Sequence, residues 1–269
     1  MFKKIGIVGA GVMGEVFIKQ FIENLQVDPK DITACSPIIP RLEELKNRYK
    51  IGVSENNKDG LVDKDVVLLS VKPQQAKEML ESIKPFVVNQ VFVSIMAGVS
   101  IQTIEKILGT KKIVRCMPNT PAQIGFGMTV WKADIISPEQ KKIVQQLFSQ
   151  LGEEMEVKIE KSIDASTAIS GSGPAYVFDF ASHLIESARA LGFNKIQAKK
   201  LVVQTIIGAG FLFKGSQEDA RVLRNKVTSK GGTTEAAFKI IDPSNLAKIY
   251  KKATKMAYKR AIFLKKQIK

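Results

Sequence analysis

Residues Ile5-Gly6-Ile7-Val8 make an apolar run the length of one strand, and it opens directly into Gly9-Ala10-Gly11-Val12-Met13-Gly14. An amphipathic stretch follows, with Val16, Phe17, Phe21 and Leu25 on its apolar side. A buried strand, a G-x-G-x-x-G turn and a helix in that order form the arrangement that binds a dinucleotide. Gly9 permits the tight turn, Gly11 lets main-chain N–H groups approach a pyrophosphate, and Gly14 lets the helix pack closely on the strand. The phosphates then meet a helix N-terminus, where free N–H groups and the helix dipole both favour an anion. An ordinary glycine-rich turn is the competing reading of the motif taken alone.

The rest of the chain supplies the context. Short apolar runs at Ile32–Cys35, Val66–Val71, Val91–Ile95 and Ile113–Met117 alternate with helical patterns at Pro40–Tyr49, Gln74–Ile83 and Ile101–Leu108. Continuous Val/Ile/Leu runs separated by helices predict a parallel sheet covered on both faces. Met128–Trp131 and Glu154–Val157 are expected to extend that sheet around the helix Glu139–Leu151. From Ser162 onward strand signals vanish. Ile163–Ile169 is predicted helical, Ser170-Gly171-Ser172-Gly173-Pro174 is expected to break it, and Ala175–Leu191 resumes with Gly192 as C-cap. Further helices are expected over Gln197–Phe213, Asp219–Lys226, Thr233–Ile240 and Asn245–Lys266. In the last, Leu246, Ile249, Ala253, Ala257, Ala261, Leu264 and Ile268 form one stripe. The expected class is α/β: a doubly wound, Rossmann-type sheet domain over residues 1–161, then an all-α domain over residues 162–269.

Composition narrows the function. At 269 residues, with 45% hydrophobic and 25% charged residues, the chain has the make-up of a soluble globular protein. Its formal charge of +15 raises the possibility of nucleic acid. The lysines, however, are scattered over helix faces with few aromatics among them to stack on bases, so no nucleic-acid partner is expected. The excess suits anionic small molecules instead. No uninterrupted apolar run approaches a membrane span, and Met1-Phe2-Lys3-Lys4 leaves no space for a signal peptide ahead of the first strand. A cytoplasmic protein with no membrane partner is expected. Cys35 and Cys116 end apolar runs and read as buried thiols, not as a disulfide. No metal site is expected, because no His, Cys and carboxylate cluster has ligand spacing.

The end of the second strand indicates which cofactor. NAD-binding folds place an acid there for the ribose 2′-hydroxyl, whereas this chain has Ser36, with Arg41 opening the next helix. The missing acid favours NADP. Arg41 is either a contact to the 2′-phosphate or a surface helix residue. Val71-Lys72-Pro73 ends the next apolar run at the strand edge where such folds bind ligands, and Ala97 and Asn119 fall at comparable strand ends.

Taken in order, G-A-G-V-M-G, S-V-K-P-Q, C-M-P-N-T-P, S-G-S-G-P-A-Y and V-T-S-K-G-G-T-T resemble the motif series of the pyrroline-5-carboxylate reductase family. The series spans residues 5 to 240. The resemblance implies NADPH-dependent reduction of 1-pyrroline-5-carboxylate to L-proline, with NADH as a weaker donor. It implies a homodimer, or an assembly of dimers, joined through the helical domain. Cofactor roles would fall on Gly9, Gly11, Val12, Met13, Gly14, Ser36, Arg41, Asn57, Ser70, Val71, Lys72, Pro73, Ala97 and Asn119. Substrate roles would fall on Ser229, Gly231, Gly232, Thr233 and Thr234, supported by Ser172 and Gly173. The chain departs from the family at Lys230, where proline is usual, and at Asn225, where aspartate is common.

A cyclic imine carboxylate needs its carboxylate held and a hydrogen-bond donor at nitrogen. The N–H groups of Gly231-Gly232-Thr233-Thr234 suit the first task. Thr234 is the candidate catalytic residue, as donor to the imine nitrogen; the alternative is a helix N-cap hydroxyl. His183, the only histidine, falls inside a predicted helix and reads as structural. Two rival functions remain: another NADP-dependent imine or β-hydroxyacid reductase, and a non-catalytic regulatory member of the family.

Overall fold

The computed structural model describes residues 3–266, and Ile268 of the predicted C-terminal stripe lies outside them. Two compact units result: one runs to Ser172 and takes in the chain from Met256 onward, and the other is Gly173–Lys255.

The first unit is built on eight strands: β1 (Ile5–Val8), β2 (Ile32–Cys35), β3 (Gly52–Ser54), β4 (Val66–Leu69), β5 (Val91–Ser94), β6 (Ile113–Met117), β7 (Gly127–Ala133) and β8 (Gly152–Glu156). Their order in the sheet is β3-β2-β1-β4-β5-β6-β7-β8. The first six are parallel; β7 runs antiparallel to β6, and β8 parallel to β7. The order reverses direction between β1 and β4, which is the switch point where doubly wound sheets bind ligands. Five helices complete this part of the unit: α1 (Val12–Glu23), α2 (Ile39–Tyr49), α3 (Ala76–Ile83), α4 (Ile101–Leu108) and α5 (Pro138–Gln150).

Alternation along each strand sorts the core onto two faces. Ile5, Ile7, Val66, Leu68, Val91 and Val93 pack with Phe17 and Phe21 of α1, Leu45 of α2 and Phe148 of α5. Val8, Val67, Leu69 and Phe92 pack with Leu80 of α3 and Ile104 of α4. The predicted doubly wound sheet is thus present, with one strand that the sequence reading did not recognise. The strand β3 is only three residues long, with an exposed glycine and two half-buried residues, so it carries no apolar run.

Beyond β8 the described chain is helical: α6 (Lys161–Ser166), a π-turn over Thr167–Gly171, α7 (Gly173–Ala190), α8 (Lys195–Gly215), α9 (Ala220–Lys226), α10 (Thr233–Ile241) and α11 (Leu246–Lys266). The expected break at Ser170–Pro174 is corrected here. The chain winds from α6 into α7 through the π-turn, in which Ser172 N–H donates to the Thr167 carbonyl (2.8 Å). Pro174 is tolerated because it stands in the first turn of α7, where no helical N–H is needed. Gly192 ends the α7 region at φ +99°, as its predicted capping role requires.

Within the second unit, α8 is capped by Asn194, which accepts from the N–H groups of Ile196 and Gln197, while Gln197 reaches back to Asn194 N–H. By length and composition alone α8 is long and apolar enough to cross a bilayer, and little of it is buried within the chain. Lys199, Lys200, Gln204 and Thr205 interrupt its apolar positions, so the helix holds no uninterrupted apolar run of membrane length. Its Ile207, Phe211, Leu212 and Phe213 are exposed.

Candidate functional site

At the carboxyl ends of β1, β2 and β4 the first unit forms a cleft of about 480 Å³. Seven residues expected to serve the cofactor line it: Gly9, Gly11, Ser36, Asn57, Ser70, Val71 and Lys72. Val12, Met13, Gly14, Arg41, Pro73, Ala97 and Asn119 are not on its walls.

The glycines separate by the physical reason for each. Gly9 has φ +100°, and a Cβ there would lie 2.6 Å from the Ser70 carbonyl carbon. A Cβ on Gly14 would lie 2.6 Å from the Gly9 carbonyl oxygen. Both are demanded by the protein itself. Gly11 is different: its φ is −75° and a Cβ would meet nothing within 4 Å. The chain has no internal need for glycine at this position, which lies on the cleft and caps α1. An approaching pyrophosphate supplies the need, so the residues present fit a dinucleotide.

Neighbouring groups hold this loop in place. The Ser70 hydroxyl donates to the Gly9 carbonyl, and Ser70 N–H donates to the Val8 carbonyl (2.8 Å). Ser36 is buried, and its hydroxyl accepts from Ile38 N–H (3.2 Å). Arg41 points back to the loop: its Nε donates to the Ala10 carbonyl, and its other nitrogens pair with Glu44 and Glu15. That places it as a clamp behind the glycine turn, away from the cleft wall where a 2′-phosphate contact was expected. Asn119 is likewise structural in its visible contacts, donating to the Ser170 carbonyl (2.9 Å) and accepting from Met128 N–H (2.9 Å). Ala97 packs against the small apolar cluster of Met117, Val130 and Ile163.

Sequence reasoning missed Glu55, Gln75, Glu78, Met79 and Ser82, all on the cleft walls. Glu55 follows β3, the strand that went unrecognised; Gln75 precedes α3, and Glu78, Met79 and Ser82 depend on which face α3 turns inward. It also missed Arg115, which is fully buried on β6 and paired with Glu160 (2.7 Å) and Asp164 (2.5 Å). Glu160 also accepts from Ile101 N–H (2.9 Å), so one charged cluster ties the starts of α4 and α6 to the sheet. A lone arginine within an apolar run was the available signal. The Nε of Arg115 and the Thr129 hydroxyl are buried with no hydrogen-bond partner among the described residues.

Both cysteines are free and buried. Burial, with a smaller contribution from Asp59, pushes the Cys35 thiol up to about 12, and burial also raises Cys116. Neither is a nucleophile at neutral pH. Among the described residues no group of three or more His, Cys, Asp and Glu is placed to hold a metal ion. His183 lies exposed on α7, between Asp179 and Glu186 on adjoining turns.

In the second unit, the loop between α9 and α10 carries Ser229, Gly231, Gly232, Thr233 and Thr234. Arg224 braces it by pairing with Asp242 (2.9 Å) and stacking over the Phe238 ring (4.5 Å). Gly231 has φ +76°, and its N–H donates to Glu235 Oε2 (3.0 Å); Gly232 N–H donates to the Ser229 carbonyl (3.0 Å). The expectation that all four residues from Gly231 to Thr234 offer free donors is therefore corrected for the two glycines. The N-cap of α10 is Gly232, with no side-chain cap, which excludes Thr234 as the capping hydroxyl. The N–H groups of Thr233, Thr234 and Glu235 and the Thr234 hydroxyl find no acceptor among the described residues. An uncapped helix N-terminus beside a half-buried hydroxyl results, a site suited to a small carboxylate. Ser172 and Gly173 stand at the junction of the π-turn and α7.

A mostly parallel sheet in this strand order, with a glycine loop fitted to a pyrophosphate, defines a dinucleotide-binding protein. Residues 4–98 match the family described as NADP oxidoreductase, coenzyme F420-dependent, and residues 160–264 match pyrroline-5-carboxylate reductase dimerisation. The chain is 35% identical to pyrroline-5-carboxylate reductase of Synechocystis sp. over 96% of its own length and 97% of that protein. Its structure resembles that of the Coxiella burnetii pyrroline-5-carboxylate reductase, with TM-score 0.88, 34% identity and coverage of 98% and 99% of the two chains. It resembles equally the Plasmodium falciparum pyrroline carboxylate reductase with NADP bound, with TM-score 0.88, 27% identity and 98% coverage of each chain. The chain belongs to the pyrroline-5-carboxylate reductase family.

Proposed function

We propose that this chain reduces 1-pyrroline-5-carboxylate to L-proline with NADPH as preferred donor and NADH as a weaker one. The observation that carries the reading is the match to a named reductase over 96% of this chain and 97% of that protein. When bound, the reduced nicotinamide supplies the hydride. Gly9, Gly11, Ser36, Asn57, Ser70, Val71 and Lys72 shape the cleft that takes the dinucleotide, and Ser36 leaves room for a 2′-phosphate. The N–H groups of Thr233, Thr234 and Glu235 hold the substrate carboxylate at the start of α10, and the Thr234 hydroxyl donates to the imine nitrogen. Lys230 adds a positive charge beside that loop without displacing any of these groups.

The chain works in the cytoplasm as a homodimer or an assembly of dimers. Support comes from the match to a dimerisation family over residues 160–264 and from the uncovered apolar residues of α8. A second copy covers that face, where a membrane helix would need lipid. The test is NADPH oxidation by the purified chain in the presence of pyrroline-5-carboxylate, with proline measured as product. Absence of turnover with retained NADP+ binding would leave the non-catalytic reading in place. Sedimentation at micromolar concentration tests the dimer, and an active monomer would overturn it.

A further inference from the structure

Cofactor selection in this cleft does not end with Ser36. The strand β3 pairs with β2 so that Ser54 stands opposite Cys35, and Ser36 N–H donates to the Ser54 carbonyl (3.2 Å). The residue just beyond each strand, Ser36 after β2 and Glu55 after β3, lines the same cleft. Glu55 is exposed, and no hydrogen bond or ion pair engages its carboxylate among the described residues. Two of the cations near it are engaged elsewhere, while Lys72 lines the cleft from beyond the end of β4. Lys58 lies over the Phe86 ring (5.4 Å), and Arg41 is clamped between Ala10, Glu44 and Glu15.

An acid at the end of the second strand discriminates by accepting from the ribose 2′-hydroxyl and repelling a 2′-phosphate. Here the second strand lacks that acid, and the adjoining strand offers one beside the same position. We propose that Glu55 is a specificity-determining residue of the cofactor cleft: its free carboxylate opposes the 2′-phosphate and keeps the preference for NADP(H) over NAD(H) modest. Solvent screening at this exposed position makes the opposition partial, so both cofactors are used. The inference rests on the cleft being the cofactor site.

The experiment measures NADP+ and NAD+ binding to the full chain by isothermal titration calorimetry, for wild type, Glu55→Gln and Gly11→Ala. Glu55→Gln is expected to tighten NADP+ about five- to tenfold, to leave NAD+ within about twofold, and to lose most of this difference near 0.5 M salt. An unchanged NADP+ affinity, or equal tightening of both nucleotides, overturns the role of Glu55. Gly11→Ala is expected to abolish binding of both nucleotides with the thermal midpoint kept, because its Cβ enters open space where the pyrophosphate would lie. Unaltered binding by Gly11→Ala would overturn the cleft assignment itself, a failure distinct from that of Glu55.

Discussion

Arg41 Nε donates to the main-chain carbonyl of Ala10, 2.9 Å away, and so ties the first turn of α2 to the glycine loop ahead of α1. Glu15 of α1 completes the strap by accepting from Arg41, from Arg48 (2.6 Å) and from the Tyr49 hydroxyl (2.9 Å). Three donors converge on one largely buried carboxylate, which makes Glu15 the keystone of the α1–α2 contact behind the cofactor cleft.

Burial alone would raise the Glu15 carboxyl pKa, but hydrogen bonds from Arg41, Tyr49 and Arg48 outweigh it and hold the pKa below the ordinary 4.5. A depressed folded-state pKa contributes stability that is fully present above the ordinary value and is lost as pH falls through the folded value. Glu15→Gln is therefore expected to lower stability by about 1 to 2 kcal/mol at neutral pH. The loss should shrink as pH drops below the carboxylate range. Urea denaturation of both proteins across that range measures it, and a gap independent of pH would show that Glu15 acts through packing alone.

Gly11 and Gly14 are expected to fail in different ways. Gly14→Ala drives a Cβ to within 2.6 Å of the Gly9 carbonyl oxygen, so a lower melting temperature should accompany weaker nucleotide binding. Gly11→Ala should melt like wild type and lose the nucleotide. Thermal denaturation with and without added NADP+ separates the two, since only a binding-competent chain gains stability from ligand.

Removing Asp164 leaves Arg115 buried with only Glu160 to balance its charge. Asp164→Ala should destabilise the first unit by about 3 kcal/mol, the lower end of the range for breaking a buried pair, because one partner survives. Arg115→Met combined with Asp164→Leu should recover much of that loss. Denaturant midpoints of wild type and the two variants decide the matter; a surface-like effect below about 0.5 kcal/mol would contradict the charged anchor.

Ser36→Asp places a carboxylate at the end of β2, next to the position of the ribose 2′-hydroxyl. Preference should shift toward NADH through a raised KM for NADPH, with kcat little altered. Steady-state kinetics with the two donors at matched concentration provide the measurement. A wild-type chain that already favours NADH would overturn the cofactor preference.

Thr234→Ala should lower turnover about ten- to a thousandfold, since a directed donor contributes roughly 1.5 to 4 kcal/mol at the transition state. Thr234→Ser should retain much of the activity because the hydroxyl survives. NADPH affinity should change little in either variant. Because Gly232 caps α10, helix stability should also stay near wild type, and a large fall in melting temperature with turnover intact would reassign Thr234 to a structural role.

The glycine loop, the buried parallel strands and the helical second half were legible in the residues themselves. A strand buried on both faces has no polar position, and a helix packed on one face repeats every three to four residues, so both leave a local signature. What the sequence could not express were contacts between segments distant in the chain. The strand β3 has no apolar run, so nothing marked Glu55 as the neighbour of Ser36; strand pairing alone brings them together. Arg41 read as a candidate phosphate ligand until the position of Glu15, 26 residues earlier, turned its guanidinium toward Ala10. In the Ser229–Thr234 loop the order of glycines was visible, yet the turn geometry decided which donors stay free, by giving Gly231 N–H to Glu235 and Gly232 N–H to Ser229. Local periodicity determines which elements form. The direction in which a polar side chain points depends on charges and carbonyls that only tertiary packing brings within hydrogen-bonding distance.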